Sequence, residues 1–175
     1  AIGLYLNGSV YHGATHQAGE IGHICLNAAV THTAQEGLPI LESFASGPAL
    51  VRRAKEALLA QPTSAIPQFA GENLAELSPL SIQKAALAGD SLAGDLLQET
   101  AERLGAALGI VQDILDLECI ILGGGVAQMG AILLEPVQAA LARFAIQPIP
   151  VLVTPLGGDV GVMGVAATYF QQERG

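Results

Sequence analysis

Tryptophan is absent from this 175-residue chain, and the aromatics amount to three tyrosines and four phenylalanines. Its core must therefore come from aliphatic side chains, and a lectin-like platform of indoles stacked under a sugar ring is excluded. Positive charge is equally scarce. Two lysines, Lys55 and Lys84, and five arginines face 16 acidic residues, for a net charge of −9. With no basic stripe to neutralise a phosphate backbone, direct nucleic-acid contact is not expected. The two cysteines, Cys25 and Cys119, lie far apart in apolar, strand-like segments, where a thiol behaves as a small buried hydrophobe. That usage fits a reducing cytoplasm. Cys119 to Leu134, a long uncharged run, is interrupted by three glycines and carries Gln128, and the N-terminus shows no cleavable signal. No membrane association is expected.

A chain of this length with 51% hydrophobic residues can bury one substantial core without a disulfide or a metal. Alanine, leucine and glycine dominate, as in an α/β or helix-rich protein rather than a disordered one. Ala1 stands inside an apolar alternating run, so the chain is expected to be a fragment or a processed product.

Ile2 to Leu6 and Ser9 to Tyr11 flank Asn7-Gly8, which supplies positive φ at both central positions of a type I′ turn and predicts a two-residue hairpin. A glycine-rich stretch from Gly13 to Gly22 leads to Ile24-Cys25-Leu26, expected as a third short strand, and then to a polar loop from Asn27 to Pro39. Within it, Ala18-Gly19-Glu20-Ile21-Gly22-His23 sets a carboxylate and an imidazole three residues apart between glycines. Such a pair suits hydrogen bonding to a polyhydroxylated ligand, and His23 is also a possible metal ligand. Taken alone, the same residues fit a turn-capping carboxylate beside a solvent-facing histidine.

Between Ile40 and Ala60 the apolar spacing predicts two helices, separated at Ser46-Gly47-Pro48. Gln61 to Pro79 reads as a connecting loop, and Ser81 to Ala88 as a short helix ended by Gly89. Asp90 or Ser91 then caps a long helix whose apolar stripe is Leu97, Leu104, Leu108, Val111 and Leu115. Cys119-Ile120-Ile121-Leu122 is a strand feeding Gly123-Gly124-Gly125 and a helical pattern from Ala127 to Phe144. A glycine turn between strand and helix lets a phosphate or planar ligand approach the backbone, although glycines there also serve packing. Val151 to Thr154 forms another strand, followed by Gly157-Gly158-Asp159, with Asp159 as N-cap of a closing helix from Val160 to about Gln172. This alternation implies a mixed sheet covered by helices, and no internal repeat is present.

Several blocks, taken in order, resemble the C-terminal half of ROK proteins: Asn7-Gly8, Gly13-Ala14, Ala18 to His23, Leu41-Glu42 with Ala45-Ser46-Gly47, and Leu122 to Ala127. Gly89-Asp90 and Gly161-Val162-Met163-Gly164 fit the same pattern. That family comprises bacterial sugar kinases and sugar-responsive transcriptional repressors built on the actin-like, ribonuclease-H-like ATPase fold. The resemblance spans nearly the whole chain and implies an α/β lobe of that fold over residues 1–175, its N-terminal partner lobe lying elsewhere. It also implies that Glu20, His23 and Glu42 line a sugar cleft, where a missing hydroxyl would leave a carboxylate unpaired. Gly123, Gly124 and Gly125 would lie near the adenosine of ATP. On their own residue types, Glu42 is equally a solvated helix-start carboxylate and the glycines packing turns.

The sequence departs from the family at two places. Many members bind a structural zinc through that histidine and three cysteines, but Thr33, Gln35 and Ile40 occupy the matching positions here. These side chains cannot replace thiolates, and His32 nearby does not complete a site, so no zinc is predicted. The kinases also place their general base and first phosphate loop in the N-terminal half. Asp90, Asp95, Asp113, Asp116 and Asp159 sit at helix caps or on helix faces, so this chain alone is not expected to transfer a phosphoryl group.

The resemblance implies a sugar-binding lobe of a glucokinase-like, ATP-dependent hexokinase, with ATP and Mg as cofactors and a hexose or amino sugar as partner. The alternative is the sugar-sensing effector domain of a repressor, in which sugar binding shifts DNA affinity. A lobe with only a dimerising role is a third possibility. Helices over Leu41 to Leu59 and Leu92 to Leu115 carry apolar faces suited to a homo-oligomer.

Overall fold

The turn at Asn7-Gly8 has φ of 51° and 81°, the positive values that a type I′ turn demands and that asparagine and glycine tolerate best. It joins β1 (Leu4–Leu6) to β2 (Ser9–Tyr11) in antiparallel register, Leu4 opposite Tyr11 and Leu6 opposite Ser9. The computed structural model describes residues 2–26, 40–71, 73–159 and 161–164. The predicted loop from Asn27 to Pro39 and most of the closing helix fall outside the described residues, although 161–164 are helical.

Both helices predicted between Ile40 and Ala60 form, as α1 (Glu42–Ala45) and α2 (Gly47–Ala60). Ser46 divides them: its backbone turns extended, and its hydroxyl accepts from the Ala49 N–H at 3.2 Å. The following loop contains two short 3-10 turns, Ile66–Phe69 and Leu74–Glu76. Next come α3 (Pro79–Leu87), started by a Ser78–Ser81 capping box, and α4 (Ser91–Leu115). β3 (Ile120–Leu122) pairs in parallel with β4 (Val151–Val153), and the crossover carries α5 (Gly124–Ala127) and α6 (Ala131–Phe144).

Asp90 is the N-cap of α4, and its carboxylate also holds the preceding loop. It accepts from the N–H groups of Ala93 at 2.8 Å and Ala65 at 2.6 Å, and from the Ser64 hydroxyl at 3.1 Å. Burial alone would raise this carboxyl, but those donors outweigh it and hold the group below its ordinary 3.8. Its stabilisation is therefore complete above the unfolded value and is lost as the pH falls through the lower folded value. Asp90→Ala is expected to cost about 1–2 kcal/mol, seen as a lower urea midpoint at neutral pH. The difference from wild type should narrow as acid protonates Asp90.

The core is aliphatic. Leu50 and Ala54 of α2, Ile82 of α3, Leu97 and Leu108 of α4, and Leu133, Val137 and Leu141 of α6 are buried together with Ile120 and Val151. Each such leucine contributes about 2 kcal/mol by leaving water. The apolar faces expected to serve a homo-oligomer, on α2 and α4, are largely buried within the chain. Leu59, Ile110 and Ile114 remain exposed on them.

Other expectations need correction. The helix expected from Ala127 to Phe144 begins only at Ala131, because the chain turns at residues 128–130, and Gly124–Ala127, expected to start as a glycine turn, forms the short helix α5. Ile24-Cys25-Leu26 is not a strand: Cys25 makes an isolated antiparallel bridge with Ile40. Cys25 and Cys119 are exposed, not buried. Asp159 lies inside a 3-10 turn, Gly157–Asp159. Among the described residues the strands are both antiparallel and parallel, but they are divided between two two-stranded sheets. No helix of the described residues is long and apolar enough to cross a membrane.

Candidate functional site

Gly19 begins the site. Its φ of +90° is left-handed backbone, and a side chain there would collide with the carbonyl of Ile2. The Ile2 N–H donates to the Gly19 carbonyl at 2.7 Å, tying this segment to the entry of β1. Glu20 follows, and Ile21–His23 forms a single 3-10 turn closed by the His23 N–H on the Glu20 carbonyl at 3.1 Å. The Ile24 carbonyl then accepts from the Leu41 N–H at 2.9 Å, and Leu41 is buried. That bond sets the start of α1 beside the turn.

Gly22 is where the two segments meet. It is buried, and a Cβ on it would lie 3.2 Å from Oε2 and 3.3 Å from Cβ of Glu42. The Glu42 side chain thus rests on the backbone between Glu20 and His23, two residues whose side chains are exposed. The structure therefore brings all three sequence-predicted polar residues to one place. It also places Glu42, Gly22 and Gly123 on the wall of one open groove of 1380 Å³. Leu4 and Leu6 of β1, Leu104 and Leu108 of α4, and Ile120 and Leu122 of β3 supply its apolar lining. Glu20, His23, Gly124 and Gly125 are not among the lining residues. Gly124 and Gly125 open helix α5, not a free turn, and a Cβ at either would meet nothing within 4 Å, so the start of this helix is open to an approaching group.

α1 has only four residues, too short to hold itself, and Leu41 gives it no side-chain cap. Arginines hold its other end. Arg52 donates to the Ser43 carbonyl at 2.8 Å, Arg53 donates to the Phe44 carbonyl at 3.2 Å, and the Arg103 guanidinium lies 3.8 Å from the centre of the Phe44 ring. Arg53 is buried, donates to Thr100 Oγ1 at 3.0 Å and pairs with Glu99, which Arg103 also binds at 2.6 Å. Burial would raise the Glu99 carboxyl, but Arg103 and Arg53 together hold it below its ordinary value. Burial lowers Arg53, and Glu99 opposes that shift.

Sequence reasoning missed this cluster. The Arg52-Arg53 doublet and the Glu99–Arg103 spacing of four were the available signals, but contacts across 46 residues leave no local pattern. Among the described residues, no group of three or more His, Cys, Asp or Glu side chains is placed to hold a metal. Thr33, Gln35 and His32 lie outside the described residues, whereas Ile40 pairs with Cys25.

The whole arrangement can be set against known proteins. The ROK family model matches residues 1–172. A glucokinase of Halalkalibacterium halodurans is 30% identical over 178 residues, covering 98% of this chain and 53% of the relative. The crystal structure of a ROK family glucokinase from Streptomyces griseus in complex with glucose and AMPPNP superposes with a TM-score of 0.83 at 29% identity, covering 95% of this chain and 55% of that one. A ROK family transcriptional regulator, a homologue of the E. coli MLC protein, superposes at 0.71 and 26% identity over 86% of this chain and 38% of its own. The chain thus spans about half the length of the glucokinases it matches. Its α/β architecture, small sheets covered by helices, is that of the ROK sugar kinases and their actin-like ATPase fold. With nearly its full length matched, the chain belongs to the ROK family.

Proposed function

We propose that this chain is the C-terminal, sugar-binding lobe of a ROK-type, ATP-dependent hexokinase. Glu20, His23 and Glu42 bind the hydroxyls of a hexose or amino sugar. Gly123, Gly124 and Gly125 lie against the adenosine of ATP, which supplies the phosphoryl group. The observation that carries this is the seat of Glu42 on Gly22, within the turn bearing Glu20 and His23 and on the same groove as Gly123. Carboxylates accept hydroxyl protons in short, charge-assisted bonds, which suits a polyhydroxylated ligand. The bare Gly124-Gly125 backbone gives a planar base room to approach. The phosphate loop and general base belong to a separate N-terminal lobe, so this lobe alone transfers no phosphoryl group.

Likeness to a transcriptional regulator over most of the chain favours a second reading, in which the same cleft senses a sugar and controls DNA binding elsewhere in the protein. Calorimetry with glucose, mannose, fructose and N-acetylglucosamine, with and without a non-hydrolysable ATP analogue, tests both. One hexose is expected to bind saturably, and Glu20→Ala to weaken it about tenfold, the lower end for a hydrogen bond to a charged group because Glu20 is exposed. Binding of the ATP analogue favours the kinase; sugar binding without it favours the sensor. Failure of every sugar to bind would remove both.

A further inference from the structure

We propose that Arg53 is the positioning residue for Glu42, acting through the C-terminal end of α1. This rests on the proposal that Glu42 binds the sugar. Arg53 stands on the buried side of α2, a place where a well-packed apolar side chain of similar volume would often do as well, because burying a guanidinium costs desolvation even when it is paired. Its planar fork reaches three partners on two other elements: the Phe44 carbonyl of α1, and Thr100 Oγ1 and the Glu99 carboxylate of α4. The Thr100 hydroxyl is itself fixed, donating to the Leu96 carbonyl at 2.8 Å. One rigid group therefore ties the last turn of α1 to the longest helix of the fold. At its other end α1 is joined through backbone, by the Leu41 N–H on the Ile24 carbonyl. In so short a helix, a shift at Phe44 moves Glu42, and with it the position of the carboxylate beside Gly22.

Arg53→Lys separates positioning from a merely structural role. Lysine keeps the charge opposite Glu99 but offers a point charge rather than a planar fork, and cannot reproduce all three bonds. The experiment uses this chain, the hexose of the above panel that wild type binds most tightly, and amide hydrogen exchange. In Arg53→Lys, the Ala45 and Ser46 amides, which close α1 on the carbonyls of Leu41 and Glu42, are expected to exchange about tenfold faster, as for one lost charged hydrogen bond. Amides of Ala54 and Leu58 in α2 should not change. Sugar affinity should fall by about the same factor. Unchanged exchange at Ala45 and Ser46 would overturn the proposal, as would faster exchange with undiminished affinity. A wild-type chain that binds none of the sugars, or a Glu42→Gln variant that binds as well as wild type, refutes the assignment of Glu42 to the sugar, and with it the positioning of a sugar ligand. The exchange result then still decides whether Arg53 holds α1.

Discussion

Glu42→Ala is expected to weaken hexose binding by about 100-fold in calorimetry, the upper range for hydrogen bonds made to a charged group. The effect should exceed that of Glu20→Ala, because Glu42 lines the groove beside the Gly22 backbone, whereas Glu20, exposed like Glu42, is outside the lining. The helix itself should survive. Alanine is a good helix former, α1 is anchored through Ser43 and Phe44, and the Glu42 side chain makes no bond that the fold depends on. Melting temperature should therefore stay within a few degrees of wild type. Equal affinity of wild type and variant for the bound hexose would sink the assignment of Glu42.

Gly105→Val should be the most damaging single substitution for stability, at about 3 kcal/mol or more. Gly105 lies where α4 crosses α6, and a Cβ there would overlap that of Ala140 and sit 2.8 Å from the Val137 carbonyl oxygen and 2.9 Å from the Leu141 nitrogen. Backbone atoms cannot swing aside as a flexible side chain can. The helices must part, and Val137 and Leu141, both buried, lose their packing. For a chain of this size that corresponds to a fall in melting temperature of roughly 6–12 °C. Gly94, on the same helix, is the control: a Cβ there meets nothing within 4 Å. Gly94→Ala should stabilise the protein by about 1 kcal/mol, since alanine is the better helix former. Thermal unfolding of the two variants beside wild type checks both signs, and a Gly105→Val protein melting with wild type would show that α4 and α6 do not pack so closely.

What the sequence revealed was what depends on neighbours along the chain. Asn7-Gly8 specifies its hairpin because positive φ is a property of those two residues. Ser46 and Asp90 mark helix starts because a cap acts within three residues, whereas the Ser78 cap, which starts α3 at Pro79, was read as loop. The stripe Leu97, Leu108, Val111 points inward as its period requires. Burial in strands was less legible. Cys119-Ile120-Ile121-Leu122 has the unbroken apolar character of a strand covered on both faces, yet Ile121 is 63% exposed, because among the described residues β3 pairs with β4 alone. The split near Gly130 was hidden because apolar residues on both sides keep a helical rhythm across it. At the candidate site, Glu20 and His23 stood out by their spacing between glycines, and Glu42 entered through the family resemblance. The convergence of Arg52, Arg53 and Arg103 on α1 was not legible, since it joins residues far apart in sequence.

The meeting of Ile24 with Leu41 and of Cys25 with Ile40 fixes the two ends of the segment between them to each other. Both links are made by backbone, so neither depends on which side chains fill positions 27–39. Substitutions between the two links are therefore expected to leave the Glu20–His23 turn in place beside Glu42, whatever chemistry they bring to positions 27–39.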